Sequence, residues 1–346
     1  MKKVTIKEIA SEMGLSRNTV AKALTGSEVV SDNTRRAVLE KANELGYQKM
    51  PAGAPRTMNS GYIQSAETIL VLAYTDISVF WNEIILGISE ELKKYGYRLR
   101  FNFISKEDEA SMSLPIDWED EAVGIILLSV FADNFVRKVR DKKLPMVFLD
   151  CPTDSSKYTQ YGDVLVCEGK DSVKKIVNQL IAQGIRDFSF LGDITYCKSV
   201  RERYEGFLSA LEVAGIKVDE TKLLTEHVTY RYYEIPEVEI ALSRMERLPE
   251  AFVCANDDIA QFAIRYLRSI NIKVPEDIAV TGYDNLESLT HVEAFLTTVN
   301  VENQLLGRRL VQQLLFRLKH PEFKPEVIHV GTDVIFRESS KKTIFL

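Results

Sequence analysis

From Thr68 onward the chain alternates short apolar, β-branched runs with longer amphipathic segments, a pattern that few folds satisfy. Ile69 to Ala73, Val123 to Leu128, Met146 to Leu149, Phe188 to Leu191, Phe252 to Cys254 and Ile278 to Val280 read as strands. Ile84 to Tyr95, Ser172 to Gln183, Arg203 to Ala214 and Asp257 to Ser269 read as helices between them. Gly96, Gly184 and Gly215 stand where a helix C-terminus needs a residue that tolerates φ > 0. Strand and helix in turn imply parallel sheets covered by helices on both faces. A body of nearly 280 of the 346 residues is too long for one compact core and divides into two lobes.

The first fifty residues follow another rule. Thr5 and Glu8 have the T-x-x-E spacing in which each side chain satisfies the other's backbone N–H, so a helix begins at Ile6. Ile6, Ile9, Ala10 and Met13 form one apolar stripe, and Gly14 lets the chain turn into a second helix capped by Ser16. There Val20, Ala23 and Leu24 face inward, leaving Arg17, Asn18 and Lys22 outside, and Gly26 ends the helix. A third helix starts at Ser31, buries Val38, Ala42 and Leu45, and stops at Gly46. Three short helices around an apolar centre make a helix-turn-helix unit. Arg suits guanine and Asn suits adenine, so Arg17 and Asn18 have the chemistry to read base edges in a major groove. Ser16, Thr19, Lys22 and Thr34 would hold register on phosphates, and Thr5 is a further candidate DNA contact. A three-helix protein-interaction module with a solvated charged face fits the same pattern. Charge favours the first reading: the head carries +3 in a chain of −6, so the remainder carries −9.

Open parallel sheets bind ligands beyond the carboxyl ends of their strands. Those positions hold the run Tyr74 to Trp81, with Ser78 and Phe80 inside it, then Asp150, Asn256-Asp257 and Tyr283-Asp284. Arg203 begins an Arg-x-x-Gly-Phe run that ends at Phe207. Aromatic rings that stack, with carboxylates, an Asn and an Arg that grip hydroxyls, describe a site for a sugar or sugar-like polar molecule. Each has a plainer reading. Phe80 and Trp81 serve equally as core at a helix start, Asp150 and Asp257 as caps or turn formers, and Arg203 as a surface ion-pair partner.

The inventory narrows the function classes. Cys151, Cys167, Cys197 and Cys254 are widely spaced, the four histidines show no metal-ligand spacing, and no nucleophile-elbow or phosphate-loop motif occurs. The expectation is a non-enzyme without cofactor or metal. No leader pattern precedes Thr5 and no run of about twenty apolar residues occurs, so a cytoplasmic protein with no membrane contact is expected.

Thr5-Ile6-Lys7-Glu8-Ile9-Ala10 through Gly14-Leu15-Ser16, then Thr19 to Gly26, Val30-Ser31, Thr34-Arg35 and Glu44-Leu45-Gly46-Tyr47, resemble the head of the lactose-repressor (LacI/GalR) family. Leu248-Pro249, Val274-Pro275-Glu276-Asp277, Gly282-Tyr283-Asp284, Leu296-Thr297-Thr298-Val299 and Arg337-Glu338-Ser339 extend the resemblance through the body. It implies an all-α helix-turn-helix head (1–50), a linker or hinge (51–67) and a periplasmic-binding-protein-like α/β body of two doubly wound parallel-sheet lobes (68–340). It further implies a homodimeric transcription regulator, a repressor that binds a double-stranded DNA operator and answers to a small-molecule effector. By the same resemblance Phe80, Trp81, Asp150, Arg203, Asn256 and Asp284 match ligand-contacting positions, and Ser199 lies near one. Pro55-Arg56-Thr57-Met58 aligns with the family's hinge core, with Met58 as the minor-groove wedge; a flexible linker is the alternative.

There are departures. Ala21-Lys22 replaces the usual Ser-Arg, and Val79 stands where proline is common. Val166-Cys167-Glu168-Gly169 replaces the family's Val-x-Asp-Asn, expected after the first strand of the second lobe. Two other functions share the body's pattern: a two-lobed solute receptor with no gene-regulatory role, and a sugar-acting enzyme.

Overall fold

The computed structural model describes residues 4–24, 30–45, 47, 67–75, 79–114, 122–226, 235–286 and 295–341. In the head, α1 (Ile6–Met13) starts at Thr5, whose hydroxyl accepts from the Glu8 N–H at 3.4 Å while the Glu8 carboxylate accepts from the Thr5 N–H at 2.8 Å. Gly14, at φ 62°, ends it in the left-handed region where glycine carries no Cβ penalty. Ser16 Oγ accepts from the Thr19 N–H at 3.0 Å to open α2 (Arg17–Leu24), and Ser31 Oγ does the same for Thr34 at 3.3 Å to open α3 (Asp32–Glu44). Ile9, Ala10, Val20, Ala23, Leu24, Val38 and Ala42 are buried together, with Leu45 packed at the edge. The expected helix ends at Gly26 and Gly46, and the segment 51–66 with Met58, lie outside the described residues.

The body opens with β1 (Thr68–Tyr74), α4 (Val79–Lys94), β2 (Arg98–Ile104), α5 (Lys106–Ser111) and β3 (Ala122–Leu127). It continues through α6 (Asp133–Arg140), β4 (Met146–Leu149), α7 (Ser156–Thr159) and β5 (Asp163–Cys167). After a crossing come α8 (Lys170–Ala182), β6 (Phe188–Leu191), α9 (Lys198–Val213), α10 (Ile235–Ser243), β7 (Ala251–Cys254), α11 (Asp257–Ser269), β8 (Ala279–Thr281) and β9 (Thr298–Asn300). The chain then returns as α12 (Asn303–Lys319) and β10 (Val327–Val330) before β11 (Asp333–Ile335). The first lobe holds a parallel sheet of order β10-β5-β4-β3-β1-β2, and the second a parallel sheet β6-β7-β8. The backbone thus passes between lobes after β5, after β9 and after β10.

Alternation along β1 splits the core: Ile69, Val71 and Ala73 face one side of the sheet, Leu70 and Leu72 the other, and all are buried. The late segment is fastened to the first lobe twice. A Cβ on Gly87 would lie 2.1 Å from the Gln304 carbonyl oxygen, and one on Gly307 2.1 Å from that of Ile84, so two glycines permit the close α4–α12 approach. Asp163, fully buried on β5, receives Arg317 of α12 at 2.5 and 3.1 Å and Gln313 at 2.9 Å, so the ion pair is compensated by further hydrogen bonds.

Three expectations change. The expected strands omit β2, β5 and β9 to β11: β5 carries the apolar run Val164 to Cys167, whereas β2 alternates Arg98, Arg100 and Asn102 with apolar residues, as an edge strand half in water does. Val166-Cys167-Glu168-Gly169 does not follow the first strand of the second lobe: Val166 and Cys167 end β5, which lies between β10 and β4 in the first lobe. The helix expected to start at Arg203 starts at Lys198, placing Arg203 within it.

Candidate functional site

At the head, α2 presents Arg17, Asn18 and Lys22 to solvent, beside a concavity lined by Ile6, Ser16, Arg17, Asn18 and Ala21. The α2 N-terminus, with its positive dipole end, points the same way, which suits an anionic partner. The hydroxyls expected to contact DNA are built into caps: Thr5 Oγ1 donates to Glu8 at 3.0 Å, Thr19 Oγ1 lies 2.8 Å from Ser16 Oγ, and Thr34 Oγ1 lies 2.8 Å from Ser31 Oγ.

In the body the lobes meet at Asp150, which ends β4 in the left-handed region at φ 65°. Its Oδ1 accepts from the Cys151 N–H at 2.7 Å and, across the boundary, from the Ser199 N–H at 3.3 Å. Its Oδ2 accepts from the Ser199 hydroxyl at 2.5 Å. A first-lobe carboxylate thereby caps α9 of the second lobe, where the helix dipole favours negative charge. Next to it the Lys198 N–H donates to the Cys151 carbonyl at 2.8 Å.

One turn further along α9 lies Arg203, only 7% exposed. Its guanidinium sits 3.5 Å above the Tyr283 ring centroid, donates from Nη1 to the Ala255 carbonyl at 2.6 Å, and has Nη2 3.7 Å from Asp284 Oδ1. Its Nε is buried without a hydrogen-bond partner. Burial pushes the Asp284 carboxyl well above the ordinary range, against the pull of Arg203. Beneath, Asp257 accepts from the Thr298 hydroxyl at 2.6 Å and the Leu286 N–H at 3.0 Å; burial nonetheless pushes it up to about 7. A cavity of about 570 Å³ opens by the crossover next in sequence to Asp284, lined by Asn285, Asn300, Asn303, Gln304, Glu83 and Arg308 among others.

The structure thus gathers Asp150 with Ser199, and Arg203 with Asp284. Asn256 neighbours Ala255, but its side-chain oxygen caps α11 through the Ile259 N–H at 2.9 Å. Phe80 and Trp81, half-buried at the start of α4, meet edge-to-face with centroids 5.0 Å apart and pack on the core. Tyr74 is held elsewhere, donating to Glu109 at 2.7 Å with its ring against Phe131. Ser78 lies outside the described residues. Sequence reasoning flags Tyr283 only as a strand-end aromatic, not as the ring under Arg203, and assigns no role to the Ala255 carbonyl. A backbone carbonyl leaves no sequence signal. Glu168, one of the departures, accepts from the Asp171 N–H at 2.6 Å and the Ser172 hydroxyl at 2.7 Å, so it caps α8 at the crossing. Among the described residues no group of three or more His, Cys, Asp or Glu could hold a metal ion, and no helix is long and apolar enough to cross a membrane.

A helix-turn-helix head on a body of two parallel-sheet lobes, with polar side chains meeting between them, defines a class of DNA-binding regulator. The family described as bacterial regulatory proteins, lacI family, matches residues 5–49, and the periplasmic binding protein-like domain matches residues 177–340. The head thus matches the LacI family's own DNA-binding domain and the body a periplasmic-binding-protein-like domain, so the chain is similar to LacI-family regulators. Its relatives include the probable HTH-type transcriptional repressor ExuR of Bacillus subtilis (strain 168), 27% identical and spanning 98% of this chain and 99% of the relative. The HTH-type transcriptional repressor PurR of Actinobacillus pleuropneumoniae serotype 3 (strain JL03) is 25% identical across 97% of this chain and 98% of its own. Both relatives are named as repressors, not enzymes. Among solved structures, the transcriptional regulator CelR–cellobiose complex superposes with a TM-score of 0.66 at 25% identity, covering 97% of this chain and all of that one. The lac repressor dimer bound to operator and the anti-inducer ONPF gives 0.64 at 19% identity, covering 98% and 99%, a likeness of fold.

Proposed function

We propose that this protein is a sequence-specific DNA-binding repressor whose operator affinity is set by a small polar effector held between the two lobes. It works without a cofactor and as a homodimer, since one head reads too few bases and two heads on a symmetric body read both half-sites. Arg17 and Asn18 read bases; Lys22 and the hydroxyls of Ser16, Thr19 and Thr34 set register on phosphates, with Thr5 as a further DNA contact. A sugar is the effector class that Asp150, Ser199, Arg203, Asn256 and Asp284 suit, with Phe80 and Trp81 as stacking faces. That a regulator of the same fold is a cellobiose complex supports it. A coupling of roughly 1–3 kcal/mol between ligand and operator would change occupancy severalfold to a hundredfold.

The observation that carries the reading is that one chain joins an exposed Arg-Asn helix tip to an interlobe contact, Asp150 with Ser199, one turn of α9 from a buried, unpartnered Arg203 Nε. The head weighs against a bare solute receptor. The test is a thermal-shift screen against sugars and sugar phosphates, followed by a DNA-binding titration of promoter fragments with and without each hit. Sequence-selective, salt-sensitive affinity that moves with a hit is expected. Its absence under every condition overturns the reading, and turnover of a hit to product would favour an enzyme.

A further inference from the structure

His329 stands on β10, the edge strand of the first lobe, and Glu202 on α9 of the second. His329 Nε2 lies 3.1 Å from Glu202 Oε1 and 3.2 Å from Oε2, so the imidazole straddles the carboxylate across the lobe boundary. On the other side Lys198 Nζ, one turn back on α9, is 2.7 Å from the same Oε1. The same turn of the helix supplies the Lys198 and Ser199 N–H groups that bond Cys151 and Asp150 of the first lobe. The carboxylate pairing and these backbone hydrogen bonds therefore bridge the lobes side by side on one stretch of α9.

Charged and titratable groups flank His329 from α9 and from the end of β4. Burial pushes the Glu202 carboxyl up, but hydrogen bonds from Lys198 and His329 more than offset this and hold it below the ordinary range, so it is ionised. The Cys151 thiol, after β4, is pushed up to about 12 by burial and is neutral. Glu205, further along α9, is paired with Lys170 at 3.4 Å. β5 brings apolar Val166 beside His329 in the strand register. Histidine is the side chain whose ordinary charge change falls between pH 5 and 8.

We propose that His329 and Glu202 form a proton-controlled latch between the lobes. Protonated His329 makes an ion pair with Glu202 and favours the closed arrangement; neutral His329 retains at most a hydrogen bond and lets the lobes part. The latch concerns the lobes alone and holds whatever the head binds. Because His329 is half in water, its effect is modest.

The test is amide hydrogen exchange on the full chain, followed at Lys198 and Ser199 at pH 6 and pH 8 and corrected for the intrinsic pH dependence of exchange. Wild type should show roughly two- to fivefold more protection at pH 6. In His329→Gln and Glu202→Gln the difference should vanish, and in His329→Arg the pH 6 level should persist at pH 8. Unchanged protection in Phe188–Leu191 shows that the variants are folded. A wild-type pH response retained in His329→Gln, or a His329→Arg protein that follows the wild-type curve, would overturn the latch.

Discussion

Arg17 and Arg203 carry the same guanidinium into opposite settings. Arg17 is exposed on the first turn of an eight-residue helix in a head with its own small core. Arg203 is buried in a 16-residue helix, stacked on Tyr283 and facing Asp284. A side chain that reads a macromolecule can wait in water, so the fold does not depend on it. One that grips a small ligand must be held in place beforehand, and the groups that hold it make it part of the second lobe's packing.

Several substitutions can break or sharpen that contrast. The largest effect belongs to Arg203→Ala, which takes the guanidinium away from the buried Asp284 carboxyl and its donor away from the Ala255 carbonyl. It should cost about 3–5 kcal/mol in urea unfolding and abolish the effector response. A destabilisation as small as that of a surface substitution would erase the distinction between the two arginines. Replacing Arg17 and Asn18 together by Ala should leave unfolding within about 0.5 kcal/mol of wild type. Operator discrimination should meanwhile fall by roughly 1–3 kcal/mol for each bidentate pairing with a base that the substitutions remove. Competition binding against scrambled DNA reads this directly.

Buried carboxyls should give the body a pH-dependent stability that the head lacks. The Asp257 carboxyl sits at about 7, above its value in the unfolded chain, so between those values the folded state keeps a proton that the unfolded chain has released. Stability should therefore fall as pH rises through that window, by at most about 1.4 kcal/mol per pH unit for this group. Asp257→Asn should flatten the slope in urea melts from about pH 4.5 to about pH 7.5. Asp284, pushed the same way, leaves a residual slope, and the Arg17/Asn18 double variant should keep the full one. The smallest effect is that of Ser199→Ala, which removes one interlobe hydrogen bond from Asp150 and should weaken effector-linked protection by about 1–1.5 kcal/mol in a thermal-shift titration.

The head was legible nearly residue by residue, because helix starts, apolar stripes and Gly14 are local signals with local causes. The capping box at Thr5 and the inward-facing Val20, Ala23 and Leu24 needed no tertiary information. In the body, strands buried on both faces announced themselves as apolar runs, whereas β2 and β10 did not: each is an edge strand with water on part of its surface. Asp150, Ser199, Arg203 and Asp284 stand out in the sequence as strand-end or family-matched positions. Their partners do not, since Asp150 to Ser199 spans 49 residues and Arg203 to Ala255 spans 52.

Local order along the chain was enough to determine a reading head of three helices and a body of alternating strands and helices. Periodicity, caps and glycines act over a few residues and survive without neighbours. Only the tertiary structure decided that β5 belongs to the first lobe, that α12 and β10 return to it, and that Arg203 is clasped by Tyr283 and Asp284. These outcomes depend on which distant segments bury each other's polar groups, and nothing within a single segment encodes that choice.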